Sequence, residues 1–386
     1  MPRFRIIPVV ILLVGYLSVG VAADTPDNAF ELDAILQQYD EYVDSVLDIG
    51  GAPGAAIAIV HQDAVIYLTA RGVREAGKSD SLDINTTFRL ASLSKGFASV
   101  MAGLLVEDGV MQYDDPVVKH LPNLELKSPK ATQELTLRHL LNHTTGVVSH
   151  AYDNLLDANL TLEKIIPRLR EAPMAGAVGS QYGYQNVLYG LAGEMMKAAT
   201  GESYEYLVHK NLFQPLRMED ASFGYDLFTS QENRATPHVR GNRRWVPTKV
   251  RPTYYTVPTA AGVNASISDL AIWLRAMMGG MPDVVSPMVL AQVSTPSVKT
   301  PGERYRFNYK GRVKSAYYGL GWRVFDYAGT PIVFHSGYVR GFQSKMAFIP
   351  EYKIGVAALL HSTAKNRFVY NFLDMFLGLA DQNETD

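Results

Sequence analysis

The sequence predicts an α+β protein: an antiparallel sheet built from both chain ends, flanked by helices, with an inserted all-helical domain. Three observations lead there. Short apolar runs broken by turn residues fall in about residues 30–85, and the same pattern returns over about 285–386. Helical patterns and loops dominate between, over about residues 92–280.

Each element follows from its own residues. Phe30 to Leu47 carries Leu32, Ile35, Leu36, Tyr39, Val43 and Val46 at helical spacing, and Gly50 to Gly54 ends it. Ala55–Val60 and Ala64–Ala70 then read as a hairpin. Thr86 to Ala91 leads into a helix from about Ser92 to Asp108, and Thr136 to Gly146 reads as a helix closed by its glycine. Late in the chain, Gly319–Phe325, Ile332–Phe334, Gln343–Ile349 and Ile354–Leu360 read as strands. An apolar helix over about Arg367–Leu379 completes the pattern. No repeats or low-complexity linkers interrupt it.

With 386 residues, 47% of them hydrophobic and 19% charged, the chain has the composition of a globular protein with ample core. A net charge of −2 gives no electrostatic case for nucleic-acid binding. The one basic cluster, Arg240 to Trp245, reads as a solvated loop or hairpin edge. Cysteine is absent, which excludes disulfides, thiolate catalysis, cysteine-ligated metals and an acylated N-terminal cysteine.

Arg3 and Arg5 precede an apolar run from Ile6 to Val21 that ends in Ala22 and Ala23. This is the pattern of a signal peptide, residues 1–23, with cleavage after Ala23 and a mature domain over 24–386. A membrane anchor is the alternative, but the run is short for a bilayer span and no charged stop-transfer cluster follows. The mature protein is expected to be periplasmic or secreted, with no stable membrane anchor.

The chemistry centres on Phe88 to Ser99, where Ser92 and Lys95 stand three residues apart. On a helix that spacing puts them on one face, with Cβ atoms roughly 5–6 Å apart. A serine hydroxyl needs a base to become a nucleophile, and a lysine serves when burial or nearby charge lowers its pKa. Such a pair also arises by chance, and Ser362 with Lys365 repeats the spacing. Further along, Tyr184 offers a phenol that can relay a proton, and Asn186 an amide that can fix a substrate carbonyl and the lysine. After the strand ending at Phe334 come His335, Ser336, Gly337 and Tyr338, where glycine allows close backbone approach and the next N–H can complete an oxyanion hole.

Ser-x-x-Lys, then Tyr-x-Asn, then Lys/His-x-Gly, in this order, resembles the penicillin-recognising serine hydrolases of the class C β-lactamase type. That family also holds D-Ala-D-Ala carboxypeptidases, D-aminopeptidases and β-lactamase-fold esterases. Leu140 to Gly146, Ala260 to Asp269 and Tyr318 to Trp322 fit its intermediate signatures. The resemblance runs from Pro53 to the last helix and implies a β-lactamase/transpeptidase-like fold. It further implies Ser92 as acylated nucleophile, Lys95 as its activator and Tyr184 as base or proton relay. Asn186 would position substrate, and His335, Ser336 and Gly337 would line the opposite wall. The N–H groups of Ser92 and Tyr338 would form the oxyanion hole.

One departure bears on substrate: typical class C β-lactamases carry lysine where this chain has His335. Tyr152 to Asn154 and Lys299 to Gly302 imitate two of the motifs but lack their surroundings. His139 and His143, four apart on the expected helix, read as packing rather than as metal ligands, and His150 reads as reaching the pocket rim. No metal or cofactor is expected, and a monomer is. The expected activity is hydrolysis of a β-lactam amide through an acyl-enzyme. The alternatives are D-Ala-D-Ala carboxypeptidase or D-aminopeptidase action on a D-amino-acid peptide, an esterase on small acyl substrates, and a non-catalytic cell-wall sensor.

Overall fold

The computed structural model describes residues 29–307, 310–364 and 367–379. The N-terminal segment read as a signal peptide, and Lys365, lie outside them. An eight-stranded antiparallel sheet forms the spine, and its order shows how the chain ends meet. Ala64–Gly72 is at one edge, followed by Gly54–His61, Ile354–Leu360, Phe342–Ile349, Thr330–Val339, Arg323–Tyr327, Val313–Tyr318 and the two-residue edge strand Val298–Lys299. Gly54–His61 thus pairs with Ile354–Leu360 across almost the whole length of the chain, in the register Ala55 opposite Leu360 through His61 opposite Ile354.

These central strands read as unbroken apolar runs because both faces of the sheet are covered. Successive side chains point to opposite faces. Ile57, Ile59, Val356 and Ala358 therefore meet the terminal helices Ala29–Asp48 and Phe368–Phe376. Ala56, Ala58, Val60, Ala357 and Leu359 face the helical region instead. Tyr39 ties the chain ends together: its hydroxyl donates to the Phe368 carbonyl at 3.0 Å and its ring meets Phe372 edge-on at 5.4 Å.

The region between is mostly helical, with Ser94–Glu107, Val187–Thr200 and Ile267–Met277 as its longest buried helices. Short strands are set into it. Phe88–Arg89, Val263–Ala265 and Ser222–Phe223 form a three-stranded sheet, and His238–Arg240 pairs with Trp245–Pro247. The basic cluster occupies that hairpin, with the Arg240 guanidinium 4.8 Å from the Trp245 ring centre.

Local differences from the sequence reading have physical causes. The helix expected to close at Gly146 spans only Leu137–Leu141. Asn142 ends it by accepting from the Thr144 hydroxyl at 2.6 Å and the Thr144 N–H at 3.2 Å, a local alternative to helical bonding. His143 then takes a φ of 59°, so His139 and His143 do not share a helix face. Gly319–Trp322 is a turn, not the start of a strand, and Gly321 (φ 75°) packs where a Cβ would stand 2.8 Å from the Lys95 carbonyl. The strand expected to end at Phe334 continues to Val339, so the His335–Tyr338 segment lies within it.

A buried histidine gives the fold an acid-sensitive point. His361 is fully buried, its Nδ1 2.7 Å from the Thr236 carbonyl and 3.0 Å from His238 Nδ1. Burial first, and then His238, push its pKa down to about 3. An unfolded histidine takes a proton near pH ~6.5, so between these values the unfolded chain binds more protons and stability falls as pH drops. The melting temperature should decline as pH falls through about 6.5 to about 5, with this one group removing up to about 1.4 kcal/mol of stability per pH unit. A flat profile by circular dichroism contradicts this.

Candidate active site

The nucleophile candidate sits where a strand turns into a helix. Phe88–Arg89 runs into a single 3-10 turn, Ala91–Leu93, and then into the helix Ser94–Glu107. Ala91 holds a φ of 48°, a left-handed conformation costly for a residue with a Cβ and typical of functional turns. The turn is pinned by the Leu90 carbonyl, which accepts from the Ser344 hydroxyl at 2.6 Å. It also lies so close to the strand Thr330–Val339 that a Cβ on Gly337 would stand 1.9 Å from the same oxygen.

Of the three serines here, Ser92 alone lines a cavity of about 500 Å³. Ser94 is buried and accepts the Val263 N–H at 3.0 Å, and Ser99 donates to the Gly96 carbonyl at 2.9 Å. Ser362 is also buried, and its hydroxyl accepts the Ala364 N–H. Ser92 makes no hydrogen bond to Lys95 or Tyr184 among the described residues. Contacts of this kind commonly tighten only in the substrate complex.

Lys95 lies beneath the cavity wall, fully buried. Its ammonium donates to Asn186 Oδ1 at 2.8 Å and to the Ala260 carbonyl at 3.1 Å, and it stands 4.7 Å from the Tyr184 ring centre. Burial holds its pKa below the ordinary lysine range; Tyr184 and Asp153 oppose that shift, and Arg323 adds to it. Asn186 occupies the N-cap of the helix Val187–Thr200, yet its side chain does not cap. It reaches instead between opposite charges: Oδ1 faces the ammonium, and Nδ2 donates to Asp153 Oδ2 at 2.9 Å. Tyr184, also at the cavity wall, is wedged between rings, 4.4 Å from His143 and 5.5 Å from His150.

On the opposite wall, Ser336 and Tyr338 line the cavity, but His335 and Gly337 do not, the latter being packed against the Leu90 carbonyl. The His335 ring is fully buried, covered by Tyr318 and Arg323 from neighbouring parts of the sheet, which corrects the expectation that it forms the wall. Nδ1 lies 3.0 Å from the Ser336 carbonyl, which can only accept, so the proton is on Nδ1. Nε2 then accepts from the Tyr318 hydroxyl at 3.0 Å and from Arg323 Nη1 at 3.1 Å. Burial, reinforced by the charges of Arg323 and Lys95, pushes the His335 pKa well below its ordinary value, so the ring is neutral.

The positive charge on this wall is supplied by Arg323, which lines the cavity while its Nε donates to Glu303 at 2.9 Å. Burial alone would lower the Arg323 pKa, but Tyr182 and Glu303 outweigh it and the net shift is upward. Sequence reasoning missed Arg323. The available signal was its position directly after the Gly319–Trp322 turn, at the start of a strand that brings it beside His335.

Asp153 was also missed, passed over as the middle of a Tyr-x-Asn imitation. It joins Asn186 to His150, whose Nδ1 donates to Asp153 Oδ2 at 2.8 Å. His150 reaches the cavity, as the sequence reading placed it. A second cavity, of about 600 Å³, lies at the Arg240–Trp245 hairpin and has no serine in its lining. Among the described residues, no group of three or more His, Cys, Asp or Glu is placed to hold a metal ion, and no helix is long and apolar enough to cross a membrane.

Comparisons with known proteins agree with this architecture. The family described as Beta-lactamase matches residues 32–377. The chain is 26% identical over 398 residues to an unguisins hydrolase of Aspergillus violaceofuscus, covering 94% of this chain and 68% of that protein. It is 24% identical over 326 residues to protein flp of Staphylococcus aureus, covering 84% of this chain and 62% of that one, so it spans less than two thirds of that relative. The structure of an octameric penicillin-binding protein homologue from Pyrococcus abyssi superposes with a TM-score of 0.78 at 26% identity, over 89% of this chain and 77% of that one. EstCE1, a hydrolase with promiscuous acyltransferase activity, shares the fold at a TM-score of 0.76 and 20% identity, over 91% of this chain and 100% of that one. A strand–turn–helix that presents a serine, a lysine buried behind it and a match over almost the whole described chain lead to one assignment: the chain belongs to the beta-lactamase family and is a serine hydrolase of that fold.

Proposed function

We propose that this chain hydrolyses amide bonds of small acyl donors through an acyl-enzyme on Ser92, with the β-lactam ring as the leading substrate and a D-Ala-type peptide as the alternative. The observation that carries the reading is the buried Lys95, bound to Asn186 and set against Tyr184 beneath the cavity that Ser92 lines. A lysine whose pKa is lowered by burial takes the Ser92 proton directly or through Tyr184. Ser92 Oγ attacks the carbonyl carbon, and the proton passes to the departing amine. The Ser92 amide, in the first turn of a helix where N–H groups lack intrahelical acceptors, and the Tyr338 amide stabilise the developing oxyanion. Asn186 positions substrate as well as the lysine.

With His335 neutral and covered, Arg323 supplies the cation for a substrate carboxylate. A hydrogen bond to a charged group contributes about 1.5–3 kcal/mol, or about 10- to 150-fold. Benzylpenicillin should therefore surpass its methyl ester by about tenfold or more in kcat/KM. Equal values would remove Arg323 from recognition, and turnover of p-nitrophenyl butyrate with no reaction at penicillin would shift the reading to an esterase. Action as a monomer and export by residues 1–23 to the periplasm or beyond belong to this reading.

A further inference from the structure

We propose that His150, held by Asp153, is the base that activates the hydrolytic water in deacylation; this rests on the acyl-enzyme reading above. His150 lines the same cavity as Ser92, with its ring centre 5.5 Å from that of Tyr184. Its Nδ1 donates to Asp153 Oδ2 at 2.8 Å, which leaves Nε2 as the acceptor and, among the described residues, without a protein partner. The Asp153 carboxylate is itself fixed by Asn186 at 2.9 Å, and its other oxygen is buried with no hydrogen-bond partner.

The imidazole is placed at a cost. His150 has a φ of 60° and Tyr152 a φ of 61°, two left-handed residues that are not glycine, in a turn whose His150 N–H donates to the Tyr184 carbonyl at 2.8 Å. Strain of this kind persists where the surroundings impose it and gathers at functional sites. A solvated surface histidine requires none of these arrangements. Half exposed, with 52% of its side chain open, His150 has access to water that the buried Lys95 lacks.

Water gives a proton to His150 Nε2 while its oxygen bonds to the acyl carbon. The bond from that carbon to Ser92 Oγ breaks, and Oγ takes a proton from the Lys95–Tyr184 pair. The pair recovers a proton from His150 through cavity water, and the acid product leaves.

Stopped-flow release of p-nitrophenol from p-nitrophenyl acetate separates the two halves of the cycle. In His150→Ala and His150→Gln, the burst should keep the wild-type rate while steady turnover falls by about 10²-fold, the usual contribution of a general base. Added imidazole should restore part of the turnover in His150→Ala, which a purely structural role would not allow. Equal loss in burst and steady phase, absence of imidazole rescue, or wild-type turnover in a variant that melts like the parent would overturn this assignment alone. A wild-type protein that releases no p-nitrophenol would overturn the acyl-enzyme reading and this inference with it.

Discussion

Ser92→Ala is expected to lower turnover of every acyl donor by about 10⁴-fold or more, the scale on which nucleophile replacement acts in serine hydrolases. Neither of the two neighbouring serines can stand in. Ser94 already accepts the Val263 N–H and is shut into the core, and Ser99 is bound to the carbonyl of Gly96. The change should leave stability within about 0.5 kcal/mol, since the removed oxygen lies at a cavity wall and makes no hydrogen bond among the described residues. Steady-state kinetics with nitrocefin and p-nitrophenyl butyrate, beside a thermal melt, check both parts. Activity near wild type would contradict the assignment of Ser92.

Lys95→Met should lower acylation by about 10²–10⁴-fold, the contribution of a positioned proton acceptor. Methionine has similar length and no charge, so it removes the base while filling most of the space. Two buried acceptors, Asn186 Oδ1 and the Ala260 carbonyl, then lose their donor. That costs about 1–3 kcal/mol, partly offset because no ammonium need be buried. Arginine should not restore activity, because it does not deprotonate in proteins. In the wild type, kcat/KM should rise with pH through an ionisation below the ordinary lysine range, because burial disfavours the ammonium. The variant should lose that rise. A pH profile identical in the two proteins would place the base elsewhere.

Much of the fold is readable in the residues alone. The sheet followed from the central runs Ala55–Val60 and Ile354–Leu360, which are apolar at every position because helices cover both faces. Ser92, Lys95, Tyr184 and Asn186 were candidates through the order of their motifs and the family resemblance, and the fold brings Lys95, Tyr184 and Asn186 together beside the cavity that Ser92 lines. Depth was not readable. His335 stands in the expected segment, yet Tyr318 and Arg323 lie over it, and neither contact is encoded by any local period.

Asp153 shows a second kind of limit. Its contact with Asn186 spans 33 residues and depends on left-handed turns at His150 and Tyr152. Neither position carries the glycine that would have signalled such a turn. The Thr136–Gly146 helix failed for a related reason: the short bonds from Asn142 to Thr144 outcompete helical ones, and only the structure shows that choice.

The proposed chemistry requires that Ser92 carry a covalent acyl group during turnover. Intact-mass spectrometry of the protein, sampled over time after mixing with benzylpenicillin, tests it most directly. The expected result is a transient increase equal to one penicilloyl group, mapping to the peptide that contains Ser92 and absent from Ser92→Ala. Rapid decay would mark a β-lactamase, and an adduct that persists for minutes a peptidase-like protein. Penicillin consumed with no adduct at any time, or an adduct that persists in Ser92→Ala, would contradict the account.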